Sequence, residues 1–280
     1  MRKLYHLFLS CLPASLAIRI IYVRAHGRWP NLRHPQTFNE KIQYRKLHQH
    51  DQRFAQLADK SLVKEYVARK IGAEWVIPTI WVGDHLPPRN ERTWNIPYVI
   101  KATHGSSTNL FVRSEAERSW PVIERTTERW LKLVYGTWAR EWLYTKILPR
   151  ILVEPFIATG STLPLDYKFF VFHGRVEYIQ VDTNREHDHR RMLCTREWQP
   201  VDVRFGVDRP VTQPNRPSSL SQMIAAAETL GADFDFVRVD FYEVDGRPLF
   251  GEMTFYPDSG LGTFTPNEFD VELGRLWHLK

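Results

Sequence analysis

The sequence predicts an α+β protein that begins with a short helical region and continues into antiparallel sheets. Two segments carry the β prediction, since 166–180 and 236–254 each read as two strands joined by a tight turn. Apolar and polar residues alternate along them, as in half-buried strands. The turns, His173-Gly174 and Asp245-Gly246, contain residues that tolerate the positive φ of a two-residue hairpin. Helix signals are concentrated before residue 75.

Composition is that of a soluble globular chain large enough for one large domain or two modest ones. The 280 residues are 43% hydrophobic and 25% charged, with a formal net charge of +6. The positive balance suits anionic partners. Only two cysteines occur, Cys11 and Cys194, which excludes a disulfide framework and a four-cysteine zinc site. This usage is consistent with a reducing compartment, so we expect a cytoplasmic protein.

Residues 1–26 are expected to be helical, with a break at Pro13. A signal peptide is disfavoured because His6, Pro13 and Arg19 interrupt the apolar run. No apolar stretch reaches the roughly 18 residues that a membrane-spanning helix needs. An amphipathic helix at the inner membrane surface is the alternative interpretation of this segment.

Two helices are expected before the first sheet. Thr37 and Glu40 have the spacing of a capping box, which predicts a helix directly after Thr37. A second helix is expected to open at Asp59 and to stop at Gly72. A β-rich section should follow from Trp75.

A strand at 98–103 precedes a loop of small and polar residues at 104–109, and a strand at 110–112 follows it. This geometry suits a flap that closes over phosphates, because backbone N–H groups and hydroxyls donate to phosphate oxygens and Lys101 adds charge. An ordinary Gly-Ser hairpin loop is the commoner alternative.

The middle of the chain is expected to alternate a long helix, a strand and a long loop. Residues 115–148 read as helical, and 151–157 read as a buried strand. The acid in that strand, Glu154, must be paired or lie at the strand end. Residues 182–219 read as a long basic loop that is either solvated or contacts anions, and not as a zinc site, because its histidines match no zinc spacing.

The last hairpin places Asp240 on one strand and Glu252 on its neighbour. Two carboxylates at one spot repel each other unless a cation lies between them. Mg²⁺ is held by one or two carboxylates plus substrate phosphates, which suits this pair. Asp166 and Lys168, two residues apart, should point to one face of their strand. A hairpin with surface charges is the plain alternative.

No Walker A, GxGxxG, HExxH or GxSxG motif occurs, so a nucleotide site must be of another kind. Five phrases spread over residues 37–280 instead resemble the ATP-grasp superfamily, and its TupA-like branch in particular. That branch is associated with teichuronopeptide and other cell-surface polysaccharide synthesis. The phrases are FNEKI (38–42), DKSLVKEYV (59–67), PYVIKATHGSSTN (97–109), DYKFFVFHGR (166–175) and FVRVDFYEVDGRPLFGEMTFYPDSG (236–260).

The resemblance implies an ATP-grasp fold, in which two α+β lobes hold ATP between antiparallel sheets. It predicts a helical N-terminal region at 1–75, a small lid lobe at 76–157 and a large lobe with the metal site at 158–280. The cofactors implied are ATP and Mg²⁺. For the nucleotide, the resemblance implies Lys64 (with Lys60 as the less favoured alternative), Lys101, His104, Gly105, Ser106, Ser107, Thr108, Glu154, Phe156, Ile157, Asp166 and Lys168.

For the metal, the resemblance implies Asp240, Glu252 and Thr254. Thr254 stands where many members carry Asn, which makes it a weaker ligand. The catalytic residues implied are Arg238, for the acyl-phosphate oxygens, and Lys168. The loop at 256–262 is expected to border the acceptor site.

The function implied is that of an ATP-dependent carboxylate–amine ligase that works through an acyl phosphate. It would attach an amino acid or amine to an acidic cell-surface polysaccharide or its precursor, so its partners are ATP, a carboxylate and an amine, sugar-linked, with no nucleic acid. The alternatives are a glycosyltransferase-like or kinase-like enzyme of polysaccharide assembly and a non-catalytic binding module. Product analysis distinguishes them.

Overall fold

The computed structural model describes residues 5, 8, 9, 11–158 and 162–279. Within these ranges the chain forms seven α-helices and two main antiparallel sheets. The helices are α1 (Ala14–His26), α2 (Phe38–His48), α3 (Gln52–Ala58), α4 (Val63–Ile71), α5 (Trp120–Leu131), α6 (Leu220–Gly231) and α7 (Glu268–Leu276).

The first sheet has four strands in the order β1-β4-β2-β3. Its strands are β1 (Trp81–Gly83), β2 (Tyr98–Ala102), β3 (Asn109–Val112) and β4 (Ile151–Pro155). Helix α5 covers one face, where Ile123 and Trp130 join a separate apolar cluster with Ile100 and Val153. The other face carries Lys101 and Glu154.

The second sheet has six strands in the order β11-β10-β5-β6-β7-β8. Helix α6 packs against β5, β6 and β10, and α4 packs against α6 and β11, so the main core lies under this sheet. Two short strands, β9 and β12, pair separately. The strands are β5 (Asp166–Phe172), β6 (Arg175–Thr183), β7 (Arg190–Thr195), β8 (Pro200–Val201), β9 (Arg204–Phe205), β10 (Phe236–Val244), β11 (Arg247–Thr254) and β12 (Phe264–Thr265).

Both predicted hairpins are present with their predicted turns. His173 and Gly174 link β5 to β6 with φ values of 49° and 78°. Asp245 and Gly246 link β10 to β11 with φ values of 51° and 74°. Two successive residues at positive φ match the twist of antiparallel strands, so the turn chemistry sets the register next to each turn. Each ladder then shifts register once, between Phe170 and Val171 and between Asp240 and Phe241.

A buried ion pair ties both ends of the chain to the large sheet. Arg45, on α2, is fully buried and its NH2 lies 2.5 Å from Asp235 Oδ1. Trp277, just after α7, donates from Nε1 to Asp235 Oδ2 at 3.0 Å. Since charges leave water at a high cost unless they are well paired, this arrangement holds only while all partners are present.

Three sequence expectations about elements are wrong or too broad. Residues 182–219 are not one loop, because β7 pairs with β6. The polar start of β7, Arg190 and Arg191, pairs in that ladder with Thr183 and Asp182. The helix expected over 115–148 is limited to α5, since Gly136 and Arg140 adopt φ values of 79° and 57° that end helical geometry. The β-rich section starts at β1, because Ala73–Trp75 forms a 3₁₀ turn.

The N-terminal helices agree with expectation in part. Thr37 and Glu40 form the predicted capping box at the start of α2. The segment expected to open at Asp59 forms a turn first, because Asp59 Oδ1 accepts from the N–H groups of Ser61 and Leu62, and α4 begins at Val63.

Helix α1 begins directly after Pro13, the predicted break. Of the helical segment expected at 1–26, residues 1–4, 6, 7 and 10 lie outside the described part, as do 159–161 beside the expected lobe boundary. Among the described residues, no helix combines the length and apolarity needed to cross a bilayer.

Candidate functional site

Two neighbouring cavities lie on either side of a shared wall. Cavity A, of about 290 Å³, lies between the two sheets, with Lys101 and Glu154 of the small sheet facing Lys168 and Asp240 of the large one. Cavity B, of about 590 Å³, lies beyond the wall and is bordered by the loop at 256–262. Three residues line both cavities and form the wall: Lys60, Ser106 and Glu252.

A buried carboxylate holds two lysines on the small-lobe side of cavity A. Lys64 Nζ lies 2.5 Å from Glu154 Oε1, and Lys101 Nζ lies 2.6 Å from Glu154 Oε2. Burial alone would raise the pKa of Glu154, but the two lysines outweigh it and hold that pKa below its usual value. The expectation that this strand acid is paired is therefore confirmed. Two cations share one acid, which leaves positive charge facing the cavity.

The large sheet supplies the opposite side of cavity A. Asp166 and Lys168 point to one face of β5, as predicted, and form an ion pair. Lys168 Nζ also lies 3.1 Å from Asp240 Oδ2, across the ladder between β5 and β10. Arg238 donates from Nε to Asp240 Oδ1 at 2.8 Å and from NH2 to Asp240 Oδ2 at 2.7 Å. A cation therefore lies on each side of Asp240.

Glu252 is directly opposite Asp240 in the ladder between β10 and β11. Its side chain is 38% exposed, against 2% for Asp240. Burial raises the pKa of Asp240 to about 6, although Arg238 and Lys168 oppose the shift. Burial would also raise the pKa of Glu252, but Lys60, Arg238 and Lys168 outweigh it and lower that pKa to about 2. Glu252 is thus the fully ionised, accessible carboxylate of the pair.

The carboxylate oxygens of Asp240 and Glu252 are suitable ligands for a hard cation such as Mg²⁺. Both residues offer only oxygen, and a carboxylate has about four lone-pair positions, of which Asp240 uses three for Arg238 and Lys168. No cluster of three or more His, Cys, Asp or Glu side chains arranged for a metal occurs in the described residues. In proteins, Mg²⁺ is usually bound by one or two carboxylates, and substrate phosphates complete its coordination shell.

Thr254 lies on the cavity B side of the wall rather than between the carboxylates. Its hydroxyl donates to Glu252 Oε1 at 3.2 Å and accepts from Arg238 NH2 at 3.1 Å. Because the Arg238 guanidinium already donates a hydrogen bond to the Thr254 hydroxyl oxygen, the geometry favours an orienting role for Thr254 over direct metal ligation.

The loop at 104–109 forms the top of the shared wall. Gly105 has φ 101°, and a Cβ there would lie 2.6 Å from the Tyr135 ring, so only glycine fits. Ser106 Oγ lies 2.6 Å from the Tyr135 hydroxyl, and Lys60 Nζ donates to the Gly105 carbonyl. Ser107, at φ 59°, lines cavity A with Ser106. The loop is therefore held against cavity B while its hydroxyls reach cavity A.

Two of the flap residues predicted to contact nucleotide have side chains outside both cavities. His104 is buried, and its Nε2 lies 3.1 Å from the Trp130 carbonyl and 3.2 Å from that of Leu133. Thr108 is also buried and lines neither cavity. Both side chains support the loop from behind, so only their backbone groups remain candidates for contact with a ligand.

An apolar side pocket opens beside cavity A. Phe156 and Ile157, which follow β4, line it together with Val99 and Tyr242. Phe111 packs edge-on against Phe156, with ring centroids 5.6 Å apart. The side pocket shares Lys101 and Tyr242 with cavity A, so an apolar ring and a charged tail could be bound as neighbours.

Cavity B has a mixed aromatic and charged lining. The loop at 256–262 borders it. Arg191, on β7, lies 3.0 Å from Asp258 on that loop. Arg238 and Glu252 reach it through the shared wall. Its remaining polar and aromatic side chains include Tyr135, Trp138, Glu141, Tyr144 and Ser259.

Several cavity residues were not identified from the sequence. Lys60 was ranked behind Lys64, yet it lines both cavities. Tyr242 was detectable, since it follows Asp240 by two and shares its face of β10. Arg185 was noted only as part of a basic segment and not as a site residue. Its NH1 lies 3.2 Å from Asp166 Oδ2.

The family model described as TupA-like ATPgrasp matches residues 40–278. N5-carboxyaminoimidazole ribonucleotide synthetase in complex with ADP is a structural neighbour at 14% identity and TM-score 0.45, covering 77% of this chain and 50% of its own. D-alanine–D-alanine ligase from Bacillus anthracis in complex with ATP is another neighbour, at 12% identity and TM-score 0.44. The match covers 80% of this chain and 65% of the ligase. The chain thus spans about half to two thirds of their length. No curated protein matches it.

Proposed function

The chain belongs to the TupA-like ATP-grasp family, and on that premise we propose that it is an ATP-dependent carboxylate–amine ligase that forms ADP and an acyl phosphate. The predicted family and fold are confirmed by the match. The observation that carries the proposal is the shared wall, because Glu252 and Lys60 face both a cavity suited to nucleotide and a larger cavity beside it.

In this proposal ATP binds in cavity A. The side pocket of Phe156 and Ile157 receives the adenine ring, and Asp166 faces the ribose. Lys64 and Lys101 face the phosphates, which the hydroxyls and backbone N–H groups of 105–108 cover. We assign the lobes to 76–157 and 158–280, with 1–75 as the helical N-terminal region.

Asp240 and Glu252 would hold Mg²⁺, with Thr254 orienting Glu252. The ion would supply neutralisation of phosphate charge. The accessible position and low pKa of Glu252 support its part, because a ligand carboxylate must be ionised at neutral pH. The register between β10 and β11 fixes the spacing of the two carboxylates.

The carboxylate substrate binds in cavity B against Arg238. One of its oxygens attacks the γ-phosphorus, the bond from phosphorus to the ADP oxygen breaks, and an acyl phosphate forms. An amine then attacks the carbonyl carbon, a C–N bond forms, and the C–O bond to phosphate breaks. Arg238 and Lys168 act by holding positive charge against the phosphoryl oxygens, which is the main source of catalysis in phosphoryl transfer.

We assign the carboxylate to an acidic cell-surface polysaccharide or its precursor and the amine to an amino acid or related compound. The volume of cavity B, about 590 Å³, lies within the range of small-molecule sites. Tyr135, Trp138 and Tyr144 offer flat apolar faces to sugar rings. The net charge of +6 supports a location in the cytoplasm, where the anionic inner membrane surface would attract the protein.

The test is a screen of uronic acids and amino acids, as carboxylate and amine, for ADP release with Mg-ATP. A ligase yields ADP, phosphate and an amide. ADP with a phosphorylated product identifies a kinase-like enzyme, and a product made without ATP identifies a glycosyltransferase-like one. Either of those outcomes contradicts the proposal.

A further inference from the structure

Glu141 is a buried carboxylate on the far side of cavity B from the nucleotide. It is 6% exposed and lines the cavity from the segment between α5 and β4. Its backbone N–H donates to the Gly136 carbonyl at 2.8 Å, and Arg140 before it adopts φ 57°. The local chain is therefore folded into a tight turn that directs this one acid inward.

Ser259 lies between Glu141 and a buried lysine of α2. Lys46 donates from Nζ to Ser259 Oγ at 2.7 Å, and Ser259 and Glu141 both line cavity B. Lys46 Nζ also donates to the carbonyl oxygens of Ser259 and Ala139, at 2.7 Å and 3.1 Å. One ammonium thus joins the two segments that carry Ser259 and Glu141.

The loop that presents Ser259 is held in an unfavourable backbone conformation. Asp258 and Ser259 have φ values of 44° and 58°, a region that costs non-glycine residues free energy. Gln43 Nε2 donates to the carbonyls of Ser259 and Gly260, both at 2.9 Å, which stabilises the loop from α2. Strain of this kind persists where the surrounding structure fixes a geometry, and it is concentrated at functional sites.

The other two carboxylates of cavity B are already engaged. Glu252 stands at the proposed metal position and contacts Arg238 at 3.2 Å. Asp258 pairs with Arg191 at 3.0 Å. Glu141, by contrast, forms no ion pair within 4 Å in the described part of the chain, and burial raises its pKa although Lys46 and Ser259 oppose the shift. A carboxyl group with a raised pKa is the better proton acceptor.

We propose that Glu141 is the general base that takes a proton from the amine nucleophile in cavity B. The inference rests on the proposed ligase function. The protonated amine first gives one proton to a Glu141 carboxylate oxygen. The freed lone pair of the nitrogen then forms the bond to the acyl carbon, phosphate leaves with the electron pair of the broken C–O bond, and the second proton lost from nitrogen passes to the leaving phosphate. Ser259 is a positioning residue that orients this carboxylate.

Hydroxylamine provides the discriminating nucleophile. It is a weak base and uncharged at neutral pH, so it attacks an acyl phosphate without prior loss of a proton. The amine of an amino acid is protonated at the same pH and needs a base. The experiment compares amide formation with hydroxamate formation for the wild-type protein and Glu141→Gln, with Mg-ATP and the carboxylate that releases most ADP in the screen.

For Glu141→Gln we expect amide formation to fall at least about 100-fold, a usual contribution of a general base, while hydroxamate formation stays within about threefold of wild type. Glu141→Asp keeps the carboxylate and should retain intermediate amide formation. Glu128→Gln, on the exposed face of α5 and outside both cavities, is the control and should change neither product.

Three outcomes would overturn the inference. Undiminished amide formation by Glu141→Gln would show that Glu141 is not the general base. Equal loss of amide and hydroxamate in a variant that still melts cooperatively assigns Glu141 to an earlier step. A folded wild-type protein that releases ADP with no carboxylate refutes the ligase proposal itself, and the base assignment with it.

Discussion

Asp240 and Glu252 are directly opposite each other on paired strands, and one guanidinium contacts both carboxylates. Arg238 NH2 lies 2.7 Å from Asp240 Oδ2 and 3.2 Å from Glu252 Oε1. The pair is positioned by a sheet ladder, so its geometry does not depend on loop movement. A site built on strands holds catalytic groups more accurately than one built on loops.

Substitution of either carboxylate by its amide should abolish turnover while the protein stays folded. For Asp240→Asn and Glu252→Gln we expect a fall in ADP release of at least about 100-fold, since each removes a charged ligand of the Mg²⁺ that neutralises the reacting phosphate. The control is Asp202→Asn, whose side chain is 99% exposed. Normal turnover in either carboxylate variant would show that the metal assignment is wrong.

Loss of one lysine of cavity A should weaken nucleotide binding. Lys101→Met removes a cation beside Glu154 and keeps the volume of the side chain, so we expect the Kd of ATP in calorimetry to rise about tenfold or more, equal to about 1.4 kcal/mol. Lys70→Met is the matched control, because Lys70 pairs at the surface with Asp233. Equal affinities for the two variants would place ATP elsewhere.

The parts of this site that were predictable rest on local signals. The Asp245-Gly246 turn starts the β10–β11 register, and an irregularity between Asp240 and Phe241, where Gly251 is left without a partner, then brings Asp240 opposite Glu252. Period-two spacing likewise places Asp166 and Lys168 on one face. These relationships depend on neighbours in sequence or on one hairpin, so the printed sequence contains them.

The parts that were not predictable depend on distant contacts. Glu141 and Ser259 meet only because Lys46 of α2 donates to both of their segments. Nothing near Arg191 in the sequence indicates that its strand joins the large sheet, since β7 is polar at its start and pairs with β6 across an intervening loop. The predicted basic loop was therefore wrong, although the charge it contributes to cavity B is present.

Removal of the buried acid at the start of β10 should destabilise the whole fold. Asp235 is 5% exposed and accepts hydrogen bonds from Arg45 and Trp277. Asp235→Ala leaves the buried Arg45 charge without its counter-ion, and such breaks cost about 3–5 kcal/mol. Denaturant unfolding measures the loss. Asp233→Ala, at an exposed neighbouring acid, should stay within about 0.5 kcal/mol of wild type.

Glu124 should give the region around the four-stranded sheet a specific loss of stability in acid. Hydrogen bonds from Arg89, and then from Arg92, hold the pKa of Glu124 at about 2, below the 4.5 of the unfolded chain. Because the folded pKa is the lower one, this stabilisation is complete above pH 4.5 and disappears as pH falls toward 2.

Glu124→Gln should therefore cost stability at pH 7, by no more than about 1 kcal/mol for a pair near the surface. The difference from wild type in free energy of unfolding should shrink as pH falls below 4.5. Urea titrations of both proteins between pH 7 and pH 2.5 check this. A difference that grows in acid would contradict the assigned pairing.

The central claim is that ATP activates a carboxylate as an acyl phosphate at the wall between the cavities. The most direct measurement uses a carboxylate labelled with ¹⁸O, Mg-ATP and an amine, followed by mass spectrometry of the released phosphate. An acyl phosphate transfers one labelled oxygen from each carboxylate to phosphate, and we predict that result. Amide formed with unlabelled phosphate would contradict the account.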